Sequence, residues 1–127
     1  MQDLMSNPDS NTLTGYNILL VEDNIIIAMD VESMLLGLGA SAVRIVETVT
    51  EALALVEAET FDFALLDVNL GRETSAPVAR ALQTAGAAFA LMTGYGDQSA
   101  GVAEFAGAAV VTKPFDETAL LRVIKPG

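Results

Sequence analysis

The chain contains no cysteine and no histidine, and only 6 of its 127 residues are Lys or Arg. Without cysteine there are no disulfides, no thiolate chemistry and no cysteine zinc site. Without histidine the usual general base, the usual transition-metal ligand and any Ser-His arrangement are gone. Chemistry is left to carboxylates, hydroxyls and amines. Aromatics are scarce too, at 6% against 52% apolar residues, so the core must be built from Ala, Val, Leu and Ile. No apolar run is long enough to span a bilayer. Residues 1–14, MQDLMSNPDSNTLT, lack the basic start and apolar stretch of a signal peptide, and the chain reads as cytoplasmic. The few basic residues face 17 acidic ones, for a net charge of −11. Such a surface repels phosphate backbones, which argues against nucleic-acid binding. A hard divalent cation or a basic protein partner fits it better.

What is present is an alternation. The length suits one domain with a single core. Residues 1–14 are polar and without periodicity and read as a flexible tail, leaving 15–127 as the domain. YNILLVED is a short apolar run ending in acids. From Asn24 the period changes: Ile27, Val31, Met34 or Leu35, and Leu38 recur at helical steps, with Gly39 as a C-terminal cap. Strands are then expected at 42–46, 61–67, 87–93 and 108–113, and helices at 50–59, 75–86, 97–107 and 116–124. Thr48 or Thr50 would cap the second helix, and Pro77 sits in the first turn of the third, where its missing N–H costs nothing. Five strands alternating with five helices, most strands being near-continuous apolar runs, predict an α/β fold whose parallel sheet is covered on both faces.

The ends of these strands carry the chemistry. Strand one ends in Glu22 and Asp23, strand three in Asp67, strand four in Thr93 and strand five in Lys113. In open parallel sheets the ligand crevice lies at the carboxyl ends of the strands, where strand order reverses. Three acids, a hydroxyl and an amine therefore reach one edge. Clustered carboxylates raise each other's pKa. A divalent cation relieves them, and an oxygen-only set favours Mg²⁺. An ionised Asp67 can then attack phosphorus to give an aspartyl phosphate, whose oxygens Lys113, Thr93 and the cation would neutralise.

LLVEDN, LLDVNLG, MTGY and TKPF, in that order at strand ends and with helix-length gaps, resemble the bacterial response-regulator receiver (CheY-like) domain over residues 16–124. The resemblance implies a flavodoxin-like doubly wound (βα)5 fold with strand order 2-1-3-4-5. It implies that Glu22 and Asp23 organise Mg²⁺ and that Asp67 is the phosphoacceptor. Asn69 would offer the metal its backbone carbonyl, Thr93 would bind a phosphoryl oxygen, and Lys113 would pair with phosphate across a cis Lys113–Pro114 bond. The partner would be a histidine kinase or a histidine phosphotransfer protein, with a downstream protein target or a shuttle or sink role. Such a chain is a phosphoacceptor and not an enzyme beyond self-catalysed phosphorylation and dephosphorylation. No output domain is visible after residue 124.

One departure concerns signalling. Many receivers carry an aromatic three residues before the lysine, and here that position is Val110. The aromatic stands instead at Tyr95, between Gly94 and Gly96. AFALMTGYG and DVNLGRETSAPVA resemble the stand-alone FAT GUY subgroup, with Leu91 and Met92 replacing its Phe-Ala. Tyr95 is open between a switch residue and an ordinary loop tyrosine. Other readings remain in view. Asp23 could cap the first helix as well as bind metal, and Ile26 and Met29 read as core or edge. A degenerate receiver used as a phosphorylation-independent docking module keeps the fold without the chemistry. A haloacid-dehalogenase-like phosphatase wants a second aspartate where Asn69 stands.

Overall fold

Strand β1, Asn17–Val21, is apolar along almost its whole length because both of its faces are covered. Ile18 and Leu20 enter one core with Phe63, Leu65, Ala90 and Met92, while Leu19 and Val21 enter another with Ala64, Leu66 and Leu91. Successive side chains leave a strand on opposite faces, so a strand without polar alternation needs a layer on each side. Each fully buried leucine in these cores contributes roughly 2 kcal/mol through burial. This computed structural model describes residues 12–71, 73–94 and 108–125.

The remaining elements follow in chain order. They are α1 (Ile25–Gly37), β2 (Ala42–Val46), α2 (Val49–Ala58), β3 (Phe63–Asp67), β4 (Asn69–Leu70), β5 (Glu73–Thr74), α3 (Ala76–Ala85), β6 (Phe89–Thr93), β7 (Ala109–Thr112) and α4 (Glu117–Ile124). The main sheet has five parallel strands in the order β2-β1-β3-β6-β7. Counted without the short hairpin β4–β5, this is the expected 2-1-3-4-5. Buried residues of α1 and α4 fill one core, and those of α2 and α3 fill the other. The chain leaves β1 toward β2 and leaves β3 toward β6, so strand order reverses between β1 and β3. Their carboxyl ends flank the crevice.

Local chemistry sets the element ends. Asn24 caps α1, its side chain accepting the N–H groups of Ile26 and Ile27 at 3.0 and 3.1 Å. Asp23 therefore does not take the capping role open to it in the sequence. Thr48, rather than Thr50, caps α2 by accepting from the Glu51 N–H at 3.1 Å. The cap of α1 at its far end is Leu38, and Gly39 lies one residue beyond it at φ 102. That left-handed turn is cheap for glycine and lets the Ala40 N–H return to the Leu35 carbonyl.

Three expectations need correction. Leu13 is fully buried and donates its N–H to the Leu38 carbonyl, so packing reaches back into the stretch expected as tail, of which residues 1–11 lie outside the described residues. Ile26 and Met29 are neither core nor edge, being 76% and 58% exposed, because the core-facing stripe of α1 runs through Ala28, Val31 and Leu35. The connection after β3 holds the antiparallel hairpin β4–β5, for which the sequence reading had no element. The helix expected at 97–107 lies outside the described residues. No helix among the described residues is long and apolar enough to cross a membrane.

Candidate active site

Glu22 and Asp23 follow β1 directly, Asp67 ends β3, Thr93 ends β6 and Lys113 follows β7. The parallel register brings these ends level: Val21 pairs with Leu66, Asp67 with Met92 and Thr93 with Thr112. Carboxylate oxygens of Glu22, Asp23 and Asp67 come within 4.8 Å of one another. Glu22 and Asp67 are buried and Asp23 is exposed, so the cluster opens to solvent through Asp23.

Lys113 ties the acids together. Its Nζ donates to Glu22 Oε1 at 2.9 Å and lies 3.4 Å from Asp67 Oδ1. Its backbone N–H donates to the Thr93 carbonyl at 2.7 Å, which continues the β6–β7 ladder by one bond. The Lys113–Pro114 peptide is cis. The second oxygen of Glu22 accepts the Asn24 N–H at 3.2 Å. Both Glu22 oxygens thus have donors, while Asp23 is the carboxylate that faces solvent. The sequence had grouped Glu22 and Asp23 as equals, and only the fold separates them.

The electrostatics follow from burial. Asp67 is pushed from 3.8 up to about 7, first by burial and then by the facing Glu22 carboxylate, with Lys113 opposing both. Burial works against the charge on Lys113, but the Glu22 hydrogen bond and the Asp67 and Glu22 charges outweigh it and hold its pKa above the usual lysine value. Three carboxylates against one ammonium is an unbalanced set, and a further cation would restore Asp67 to its ionised form. The donor set fits Mg²⁺: hard oxygens from Asp23 and Asp67 beside Glu22, with no histidine or cysteine in the chain to select a softer metal.

Thr93 is buried at the end of β6. Next to it, a cavity of about 340 Å³ is lined by Ile27, Asp30, Val31, Met34, Gly94, Lys113, Pro114 and Phe115. Val110 is 38% exposed on β7, on the position where the resemblance looked for an aromatic. Asn69 lies on β4, its backbone paired in register with Thr74. Tyr95 lies outside the described residues.

The comparisons with known proteins agree with this geometry. Residues 18–125 match the response regulator receiver domain family, to which this chain belongs. The fold resembles that of SdrG from Sphingomonas melonis Fr1, solved in solution, at 41% identity and a TM-score of 0.78, covering 86% of this chain and 92% of that one. It also resembles the receiver domain of the sensor histidine kinase PA1611 from Pseudomonas aeruginosa PAO1, which has a magnesium ion coordinated in its active-site cleft. There the identity is 27% and the TM-score 0.76, over 87% of this chain and 95% of that one. A response regulator from Burkholderia pseudomallei, carrying a phosphorylated aspartic acid, a calcium ion and citrate, is 28% identical with a TM-score of 0.75, over 87% of this chain and 67% of that one. No curated protein matched the chain.

Proposed function

We propose that this chain is a stand-alone receiver that accepts a phosphoryl group on Asp67 from a histidine kinase or a histidine phosphotransfer protein. The observation that carries the reading is the meeting of Glu22, Asp23 and Asp67 within 4.8 Å, with Lys113 bridging two of them at the strand-order reversal. An Asp67 carboxylate oxygen forms the new bond to phosphorus. The bond from phosphorus to the donor's histidine nitrogen breaks, and that nitrogen keeps the electron pair. The product is an acyl phosphate.

Mg²⁺, held by Asp23, Asp67 and the Asn69 carbonyl beside Glu22, would supply neutralising charge to the anionic phosphoryl oxygens. Lys113, already 3.4 Å from Asp67, is placed to exchange its carboxylate partner for a phosphoryl oxygen. Thr93, one strand away, supplies a hydroxyl to another. The exposed Ile25, Ile26 and Met29 in the first turns of α1 stand beside the acids and offer the donor an apolar docking face. The protein catalyses nothing beyond its own phosphorylation and dephosphorylation, and it works in the cytoplasm.

Its output runs through protein partners or through a shuttle or sink role. The AFALMTGYG segment supports the FAT GUY type. In this reading phosphate draws in Thr93, the glycines flanking Tyr95 let the loop reorient, and the ring replaces the aromatic that Val110 lacks. Tyr95→Ala should leave phosphorylation of Asp67 intact and weaken the phosphorylation-dependent change in partner affinity. The central test is incubation with Mg²⁺ and acetyl phosphate, followed by intact mass: one phosphoryl group is expected. A group that persists in Asp67→Asn would overturn the assignment.

A further inference from the structure

The hairpin that follows β3 carries Asn69, whose carbonyl the proposed function places toward the metal. Val68 and Leu70 are buried in the α2–α3 core, at 1% and 5% exposure, so Asn69 is fastened on either side. β4 and β5 pair antiparallel, Asn69 opposite Thr74 and Leu70 opposite Glu73. One rung earlier the Ser75 N–H donates to the Val68 carbonyl at 3.2 Å. Hydrogen-bonded and non-hydrogen-bonded pairs alternate along such a ladder. With the Val68–Ser75 rung bonded, the Leu70–Glu73 rung is bonded as well, and the Asn69–Thr74 rung between them is not. The N–H and C=O of Asn69 are therefore turned away from β5. The ladder holds this backbone without consuming its carbonyl.

Gly71 begins the turn at φ 67, and a Cβ placed on it would meet nothing within 4 Å. Its requirement is conformational, not steric. A two-residue connection between paired strands needs this left-handed start, and the register depends on it. A one-residue slip would exchange bonded for non-bonded rungs and turn the Asn69 carbonyl into the hairpin.

We infer that the β4–β5 hairpin is a positioning device for the metal: by its register it presents the Asn69 carbonyl beside Asp67, and Gly71 sets that register. This rests on the reading of the acidic cluster as an Mg²⁺ site. The experiment is a Mg²⁺ titration of the full chain, followed by amide chemical shifts, on the parent, Asp23→Ala, Gly71→Ala and Gly71→Asn, with melting temperatures in EDTA. In Gly71→Ala the turn would relax out of register without metal and be restored on binding, so Mg²⁺ binding should weaken by up to about fivefold, the cost of a left-handed alanine, with little change in the metal-free melting temperature. Gly71→Asn should restore binding, because asparagine accepts that conformation. Unchanged affinity in Gly71→Ala, with Asp23→Ala impaired, overturns the hairpin's role and leaves the metal site standing. Equal loss in Gly71→Ala and Gly71→Asn also overturns it, since backbone conformation would then not be the cause. A parent that binds no Mg²⁺, or an Asp23→Ala variant that binds as well as the parent, defeats both readings.

Discussion

The two ends of the central sheet treat polar groups in opposite ways. Where β1 begins, the Asn17 N–H donates to Asp62 Oδ2 at 2.7 Å, the Asn17 amide donates to the Thr60 carbonyl at 3.1 Å, and the Asp62 N–H returns to the Asn17 carbonyl at 2.8 Å. These three bonds tie the start of β1 to the segment before β3 at an exposed edge. Where β1 and β3 end, two buried carboxylates share one lysine, and a third acid stands at the rim. One end pairs its polar groups with one another, while the other holds an excess of negative charge that a proton on Asp67 or an added cation relieves. A buried charge without a full partner is costly, and a fold that carries one does so where the charge is used.

The largest effect expected from this contrast belongs to Asp67. Asp67→Asn should abolish phosphorylation by acetyl phosphate while raising metal-free stability, because it removes the strained charge. Asp62→Asn at the other end should phosphorylate like the parent. Intact mass and urea melts in EDTA read both, and a destabilised Asp67→Asn would break the comparison.

Next comes Lys113→Met, which strips the cluster of its bridging cation. Breaking a buried pair costs about 3–5 kcal/mol, and the partial exposure of Lys113 reduces this to about 2–3 kcal/mol. The double variant Lys113→Met with Asp67→Asn should recover much of the loss. Additive losses in a double-mutant cycle would show that the groups are not coupled.

A smaller effect lies in the pH dependence. Asp67 titrates near 7 in the folded chain against an ordinary 3.8. Between those values the folded state binds the extra proton, so its contribution is fully present below the lower value and is lost as pH rises through the upper one. The metal-free melting temperature should therefore fall by several degrees from pH 4 to pH 7.5 relative to Asp67→Asn. Saturating Mg²⁺ should oppose the fall by mass action. A parent and variant that track each other across this range would contradict the burial of Asp67 as a charged group.

The smallest expected change is Asp62→Ala. It loses one exposed hydrogen bond to the Asn17 N–H and should cost at most about 1 kcal/mol in urea melts. A loss as large as that of Lys113→Met would mean that the two ends of the sheet do not differ in what their polar groups contribute.

The sequence alone determined a good deal. Apolar runs without polar alternation required a doubly covered parallel sheet, and helical spacing between them required the βα succession. An acid, hydroxyl or amine at the ends of four of the five strands then located Glu22, Asp23, Asp67, Thr93 and Lys113 at one edge, because strand direction is shared. These features are local, and periodicity reports them. Other features depend on groups far apart in the chain, and only the tertiary structure decided them. Glu22 and Asp23 are neighbours in sequence, yet one is buried under Lys113, 91 residues away, and the other faces solvent. Asn24, not Asp23, caps α1, because the acids are turned toward the strand ends. Ile26 and Met29 stand exposed since the core meets α1 along another stripe. The β4–β5 hairpin escaped the sequence because two-residue strands carry too little periodicity to register. Its pairing is held by Val68 and Leu70 entering a core that exists only after α2 and α3 have packed.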